Sequence, residues 1–272
     1  MERAQNGKPI TEEAPDSVLS GRTIDEIASA GDRVWQSNRA EGESALVNGQ
    51  RNSRSATAPK VRLVRDWSKE LHGAPKESLP SFIEPQLASP VKSPPPGAKW
   101  IHEIKLDGYR ILVRVGEGRV QLLTRTGLDW THRMKAIASA ASALPVKTAL
   151  IDGEAVVLTE EGISSFAELQ AAFQKGAKPL TYFAFDLLHF DGHNLRGLAL
   201  KERKHMLERL LEGAREDGVI RLSEHIEGSG AQVFRKACNL GTEGIISKRA
   251  DGNYDPGRGG GWLKIKCYRE HW

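Results

Sequence analysis

Apolar and polar positions alternate along "WIHEIKLDGYRILVRV", residues 100–115, in a pattern that predicts two strands. On an extended chain successive side chains point to opposite faces, so Ile101, Glu103 and Lys105 share one face while Trp100, His102, Ile104 and Leu106 share the other. Lys105 therefore ends a largely apolar strand one step before a Leu-Asp-Gly turn. Asp107-Gly108 reads as a tight hairpin turn, with Ile111, Val113 and Val115 lining one side of the returning strand. The same pattern predicts strands over 99–106, 109–115, 119–125, 147–158, 180–187, 219–222, 244–249 and 262–267. Helical spacing predicts helices over 132–143, 164–174, 200–212 and 229–239, the second opened by a Ser164 cap before Phe166, Leu169 and Phe173. Hairpins early and helices later predict an α+β domain of antiparallel sheets flanked by helices.

The pattern fades toward the N-terminus. From Met1 to about Glu77 apolar residues are isolated among Ser, Asn, Gly, Arg and Glu, as in "NRAEGESALVNGQRNSRSATAPK". Such a stretch buries too little surface to offset the entropy of ordering it. Residues 1–80 are therefore expected to be a largely disordered leader or interdomain linker, with one short helix around Ile24, Ile27 and Ala28, and 81–272 the folded domain. Prolines at 80, 85, 90 and 94–96 mark an extended entry into it. An apolar fraction of 39% suffices for a core. No apolar run is long enough for a membrane span, and the N-terminus lacks the apolar centre of a secretory signal, so a cytoplasmic protein is expected. Its two cysteines, Cys238 and Cys267, are expected as reduced thiols. No Cys/His cluster has zinc spacing, and no P-loop sequence occurs. The net charge of +4 is small but uneven. Between Gly244 and Arg269, Lys248, Arg249, Arg258, Lys264, Lys266 and Arg269 face only Asp251 and Asp255, which suits either a phosphate-rich partner or a solvated face.

Candidate chemistry lies where strands carry charge. In "ALIDGEAVVL" Asp152 and Glu154 share a face with Val156 and Leu158, and a buried carboxylate pair needs a cation or donors. In "WLKIK" Trp262, Lys264 and Lys266 point one way, an arrangement tolerated in solvent or, in a pocket, matched to a multiply charged anion. Glu243 and Lys248 bracket the apolar strand of "EGIISK". Arg110 and Arg125 follow a turn and a strand, where guanidinium groups commonly meet phosphate or ribose.

Taken in order, "KLDGYR" at 105–110, "TRTG" at 124–127, "DGEAV" at 152–156, "YFAFDLLHFDG" at 182–192, "EGIISK" at 243–248 and "WLKIK" at 262–266 closely resemble the nucleotidyltransferase motifs of ATP-dependent DNA ligases, nearest to the bacterial ligase D type. The resemblance spans about 85–267 and implies the ATP-grasp-like adenylation fold, with ATP and Mg²⁺ as cofactors. It implies that Lys105 attacks the α-phosphate of ATP to give a lysyl-AMP phosphoramidate. A free lysine, with a pKa of about 10.4, is only about a thousandth neutral near pH 7.4, so the role requires tuning; one cation about 4 Å away supplies about 4 kcal/mol, some three pKa units. Lys264 and Lys266 would hold the α-phosphate, joined on the nucleotide by Arg258, with Lys248 also counted in the nucleotide site. Glu154 resembles the ribose ligand, with Arg110 and Arg125 nearby. Phe185 resembles the ring that stacks on adenine, and is equally a core position. Glu103 would lie beside the adenine edge, through its backbone. Glu243 resembles the carboxylate that positions the metal.

The implied partner is nicked or broken double-stranded DNA, bound through its phosphates without sequence readout, together with end-joining proteins. Only "CYREHW" follows "WLKIK", whereas the family continues into an OB-fold barrel. On that basis the 272 residues are expected to charge themselves slowly or not at all, unless a partner supplies a barrel. Two alternatives stay open: an RNA ligase or capping-type nucleotidyltransferase, and a remnant that binds ATP or nicked DNA without turnover.

Overall fold

A strand such as 109–116, buried on both faces from Ile111 onward, has to be covered on both sides, and that requirement organises the molecule. The computed structural model describes residues 67–175, 178–212 and 218–267; the helix expected near Ile24 and the charge of Arg269 lie outside them. Its strands are β1 (Ser89–Pro90), β2 (Trp100–Ile104), β3 (Tyr109–Gly116), β4 (Arg119–Thr124), β5 (Ala149–Val156), β6 (Thr181–Phe190), β7 (His193–Asn194), β8 (Ile220–Leu222), β9 (Ile226–Glu227), β10 (Gly244–Arg249) and β11 (Trp262–Lys266). The helices are α1 (Lys135–Ser142), α2 (Phe166–Lys175), α3 (Leu200–Leu211) and α4 (Gly230–Asn239).

The strands sort into a five-stranded sheet, β1-β11-β10-β2-β9, and a six-stranded sheet, β4-β3-β5-β6-β7 with β8 beside β6. Their pairing is antiparallel apart from β1 with β11 and β6 with β8. Helices α1 and α3 cover the outer face of the larger sheet, where Ile111, Val113 and Val115 pack with Ile137, Met206, Leu207 and Leu210. The opposite face of that sheet, with Leu112, Leu123, Leu150 and Phe185, packs on Trp262 and Tyr254 beside the smaller sheet. Helix α4 closes the far side through Val233 and Ala237 on Ile245 and Ile265. The order is thus helices, sheet, sheet, helix, with the open edge of the inter-sheet layer left as a cleft.

The predicted strands and helices are all present, but several expectations change. Asp107-Gly108 is not a hairpin turn, because β2 and β3 belong to different sheets and the residues between them carry the chain across. Gly108 passes so close to β5 that a side chain there would lie 2.3 Å from the Ala155 carbonyl oxygen. Ser164 does not cap α2; Ser165 Oγ accepts from the Glu168 N–H at 3.3 Å, and Asp107 accepts from the Phe166 N–H at 3.2 Å. Cys238 and Cys267 are bonded to each other, joining the end of α4 to the end of β11, and are not free thiols.

Residues 67–80, assigned by composition to the leader, pack on the domain. Trp67 tilts against Phe190 at 4.6 Å between centroids, and the Arg209 guanidinium lies 4.6 Å over the same indole. Glu77 pairs with Arg196 at 3.1 Å. A few large side chains anchor a segment whose average composition is polar.

Candidate active site

The cleft is built from the ends of both sheets. Lys105, one residue past β2, is held by its backbone N–H on the Gly244 carbonyl at 2.9 Å, which ties it to the start of β10. Gly244 has φ +145 and packs its Cα against the Ile265 carbonyl of β11, so only glycine fits where the two strands meet the nucleophile candidate. The Lys105 amine pairs with Glu243 Oε2, whose other oxygen accepts from Lys266 Nζ at 2.9 Å. Burial alone would raise the Glu243 carboxyl, but hydrogen bonds from Lys105 and Lys266 hold it below the usual range.

Around that amine the cleft is lined by Glu103, Arg110, Arg125, Glu154, Phe185, Lys248, Arg258 and Lys264, so these predicted residues meet Lys105 in one hollow. Lys266 and Glu243 do not line it; Glu243 stands behind Lys105 as its ion-pair partner and pairs with Lys266 through its other oxygen. Arg125 from the end of β4 and Arg258 from the β10–β11 loop are exposed and face the same opening. Lys264 is pushed down from its ordinary value by partial burial and then by Lys105, Lys266 and Arg258, so positive charge already crowds this rim.

Several roles differ from a simple strand reading. Arg110 grips Asp152 with two bonds of 2.6 Å, and Tyr254 donates to the same carboxylate at 2.6 Å. The cation that a buried Asp152 requires is thus Arg110, whose guanidinium also lies 4.6 Å over the Phe185 ring. Phe185 itself is set by a bulge: the β5–β6 register shifts between Asp152 and Gly153, leaving Phe185 without a partner on β5 and turned into the inter-sheet layer.

Two carboxylates in the cleft have opposite electrostatics. Glu154 is pushed up to about 7, first by burial, with Asp152 and Glu243 adding to the effect and Arg110 and Lys105 opposing it. Glu103 is only 3% exposed, yet Lys204 and Lys248 outweigh its burial and draw it down to about 2. Its oxygens accept from Lys204 and Lys248, each at 2.8 Å, and from Ser223 Oγ at 3.0 Å. Lys248 in turn is brought down to about 8, chiefly by burial, and its amine lies 4.2 Å over both Phe185 and Trp262. Both groups are thus charged at neutral pH.

Sequence reasoning missed Lys204, Ser223 and Tyr254. Lys204 did leave a signal: it stands four residues after Leu200 and three before Leu207, in the buried stripe of α3. Ser223 and Tyr254 lie in connecting segments without a periodic pattern. Among the described residues no three His, Cys, Asp or Glu gather to hold a metal. A lone carboxylate such as Glu243 suits Mg²⁺ arriving with substrate phosphates, since that ion commonly takes one or two carboxylates and keeps its remaining positions for phosphate and water.

A lysine, two carboxylates, an aromatic face and a rim of cations gather between two largely antiparallel sheets, an arrangement that belongs to the nucleotidyltransferase fold. A family model described as ATP dependent DNA ligase domain matches residues 85–266, and the chain belongs to that family. It is 38% identical over 259 residues to the multifunctional non-homologous end joining protein LigD of Pseudomonas aeruginosa, covering 95% of this chain and 27% of the relative. To the Mycobacterium tuberculosis multifunctional non-homologous end joining DNA repair protein LigD it is 37% identical over 177 residues, 64% of this chain and 22% of the relative. The chain thus spans about a quarter of the length of these relatives. Among solved structures, mycobacterial DNA ligase D complexed with ATP and MES aligns with a TM-score of 0.61 at 32% identity, covering 70% of this chain and 62% of that one.

Proposed function

We propose that the chain adenylylates itself on Lys105 and passes the AMP to 5′-phosphates at nicks or breaks in double-stranded DNA, as the ligase module of an end-joining pathway. The observation that carries this reading is the convergence of Lys105, Glu154, Phe185, Arg258 and Lys264 on one cleft. Once its ammonium has released a proton to solvent, Lys105 Nζ forms a bond to the α-phosphorus of ATP as the bond to the bridging oxygen breaks; pyrophosphate leaves, and the attached nitrogen releases its second proton to solvent to give the phosphoramidate. Before it attacks, the amine has to part from Glu243. Lys264 and Arg258 neutralise the phosphates, Glu154 meets the ribose, and Phe185 supports the adenine with Glu103 at its edge. Mg²⁺ held through Glu243 would neutralise the charge that develops on pyrophosphate. In the later steps the 5′-phosphate of the DNA takes the AMP, and a 3′-hydroxyl displaces it.

Incubation of the 272-residue chain with α-labelled ATP tests the reading. One AMP per chain is expected, stable to alkali but released by acid as a phosphoramidate is, and absent in Lys105→Ala, with ATP preferred to GTP. Sealing of a pre-adenylylated DNA nick without added ATP, but not of the RNA equivalent, is also expected, since that step bypasses the charging of Lys105. Absence of any Lys105-dependent label would reject the proposal.

A further inference from the structure

The crossing from β2 to β3 puts the nucleophile at one end of an unpaired segment, and an unpaired segment needs an anchor at its other end. On the Lys105 side the anchor is the hydrogen bond to Gly244. On the far side Asp107 and the segment leading into α2 exchange bonds: the Asp107 N–H donates to Ser164 Oγ at 2.9 Å, and the Asp107 carboxylate accepts from the Phe166 N–H at 3.2 Å. The Ser164 hydroxyl is carried on a closed loop, since Leu158 and Ser164 form a bridge and the Thr159 N–H donates to the Ile163 carbonyl at 2.8 Å. The Phe166 ring meets Tyr109 edge-on at 5.1 Å, so the residue after the crossing is fixed by the same helix start. Gly108, wedged under the Ala155 carbonyl, removes the remaining freedom.

We infer that Ser164 is a positioning residue for adenylyl transfer: by pinning Asp107 it sets the direction in which Lys105 presents its amine to the α-phosphorus. The inference rests on the nucleophile role of Lys105. Ser164 is absent from the residues that line the cleft. It therefore acts on the rate of the chemical step and not on nucleotide affinity.

The test compares wild type, Ser164→Ala and Ser164→Thr in single-turnover labelling with α-labelled ATP, alongside equilibrium ATP binding and thermal unfolding. Ser164→Ala is expected to label Lys105 about tenfold more slowly at saturating ATP while ATP affinity stays within about twofold, the size of effect that misplacing a reacting group by a fraction of an ångström produces. Ser164→Thr, which keeps the hydroxyl, is expected to recover most of the rate. Labelling of Ser164→Ala at the wild-type rate, a slowing matched by an equal loss of ATP affinity, or equal slowing in Ser164→Thr would overturn the inference while leaving the ligase reading intact. A wild-type chain that takes no label on Lys105 would overturn both.

Discussion

Glu154 and Glu103 show how the same side chain serves two purposes within one cleft. Glu103 is a fixed counter-charge: two ammonium groups hold it ionised, and its folded value of about 2 lies below the ordinary 4.5, so it adds stability above pH 4.5 that is lost as pH falls toward 2. Glu154 has the reverse sign. Its folded value of about 7 lies above 4.5, so the native state is favoured below pH 4.5 and loses that contribution as pH rises through 7. A carboxylate that costs stability at physiological pH is characteristic of a group kept for a ligand. Glu154→Gln carries no charge and is expected to unfold at higher temperature than wild type at pH 8, by no more than about 3 kcal/mol, with the gap closed by pH 4.5. Melting curves across that range check it, and a gap that widened in acid would contradict the assignment. The same variant is expected to lose nucleotide affinity, because the amide offers ribose hydroxyls one neutral acceptor oxygen where the carboxylate offers two.

At the scale of elements, α3 is the clearest case of a helix placed by buried charge as well as by apolar burial. Leu207, Leu210 and Leu211 pack on the larger sheet, while Arg203, fully buried, grips Asp186 of β6 at 2.7 and 2.9 Å and reaches the Gly252 carbonyl at 3.0 Å. Arg203 thus ties one sheet to the loop that leads into β11. Removing one partner leaves the other charge stranded, so Arg203→Met is expected to cost about 3–5 kcal/mol in denaturant unfolding, and the double variant Arg203→Met with Asp186→Leu to recover much of it. Recovery by the double variant separates an uncompensated charge from lost packing. This element also shows what the sequence could tell. The run Met206, Leu207, Leu210 and Leu211 was legible as a helix, and so were the period-two strands, because each is a local pattern. Which sheet a strand joins was not, since β2 pairs with β10 some 145 residues away at Ser247 and not with β3. The bulge that turns Phe185 and the Arg110–Asp152 grip are likewise products of long-range register. The candidate site was legible beyond its geometry because its residues recur in an ordered set of motifs, and their chemistry did not depend on knowing the sheets.

For the molecule as a whole, the cleft gathers cations from separate parts of the fold before any anion is present. Lys105 ends β2, Arg125 follows β4, Arg258 rides the β10–β11 loop, and Lys264 and Lys266 lie on β11. Glu243 pairs two of these, Lys105 and Lys266, while the lowering of Lys264 by its neighbours records the repulsion that remains. A triphosphate relieves that repulsion; a base and ribose do not. Binding therefore divides into a salt-sensitive share, carried by the exposed rim, and a share from Phe185 and the buried Glu103 cluster that salt screens far less. Raising ionic strength from about 0.05 to 0.5 M is accordingly expected to weaken ATP much more than AMP, as the Debye length falls from about 14 to about 4 Å. Arg258→Ala, which removes a rim cation and leaves Lys264 on the α-phosphate that both nucleotides carry, is expected to narrow that difference by weakening ATP more than AMP. Calorimetric titration of both nucleotides into both proteins at the two salt concentrations measures each part. Equal salt dependence for ATP and AMP would mean that the rim does not hold the β- and γ-phosphates, and that the triphosphate lies elsewhere than along β11.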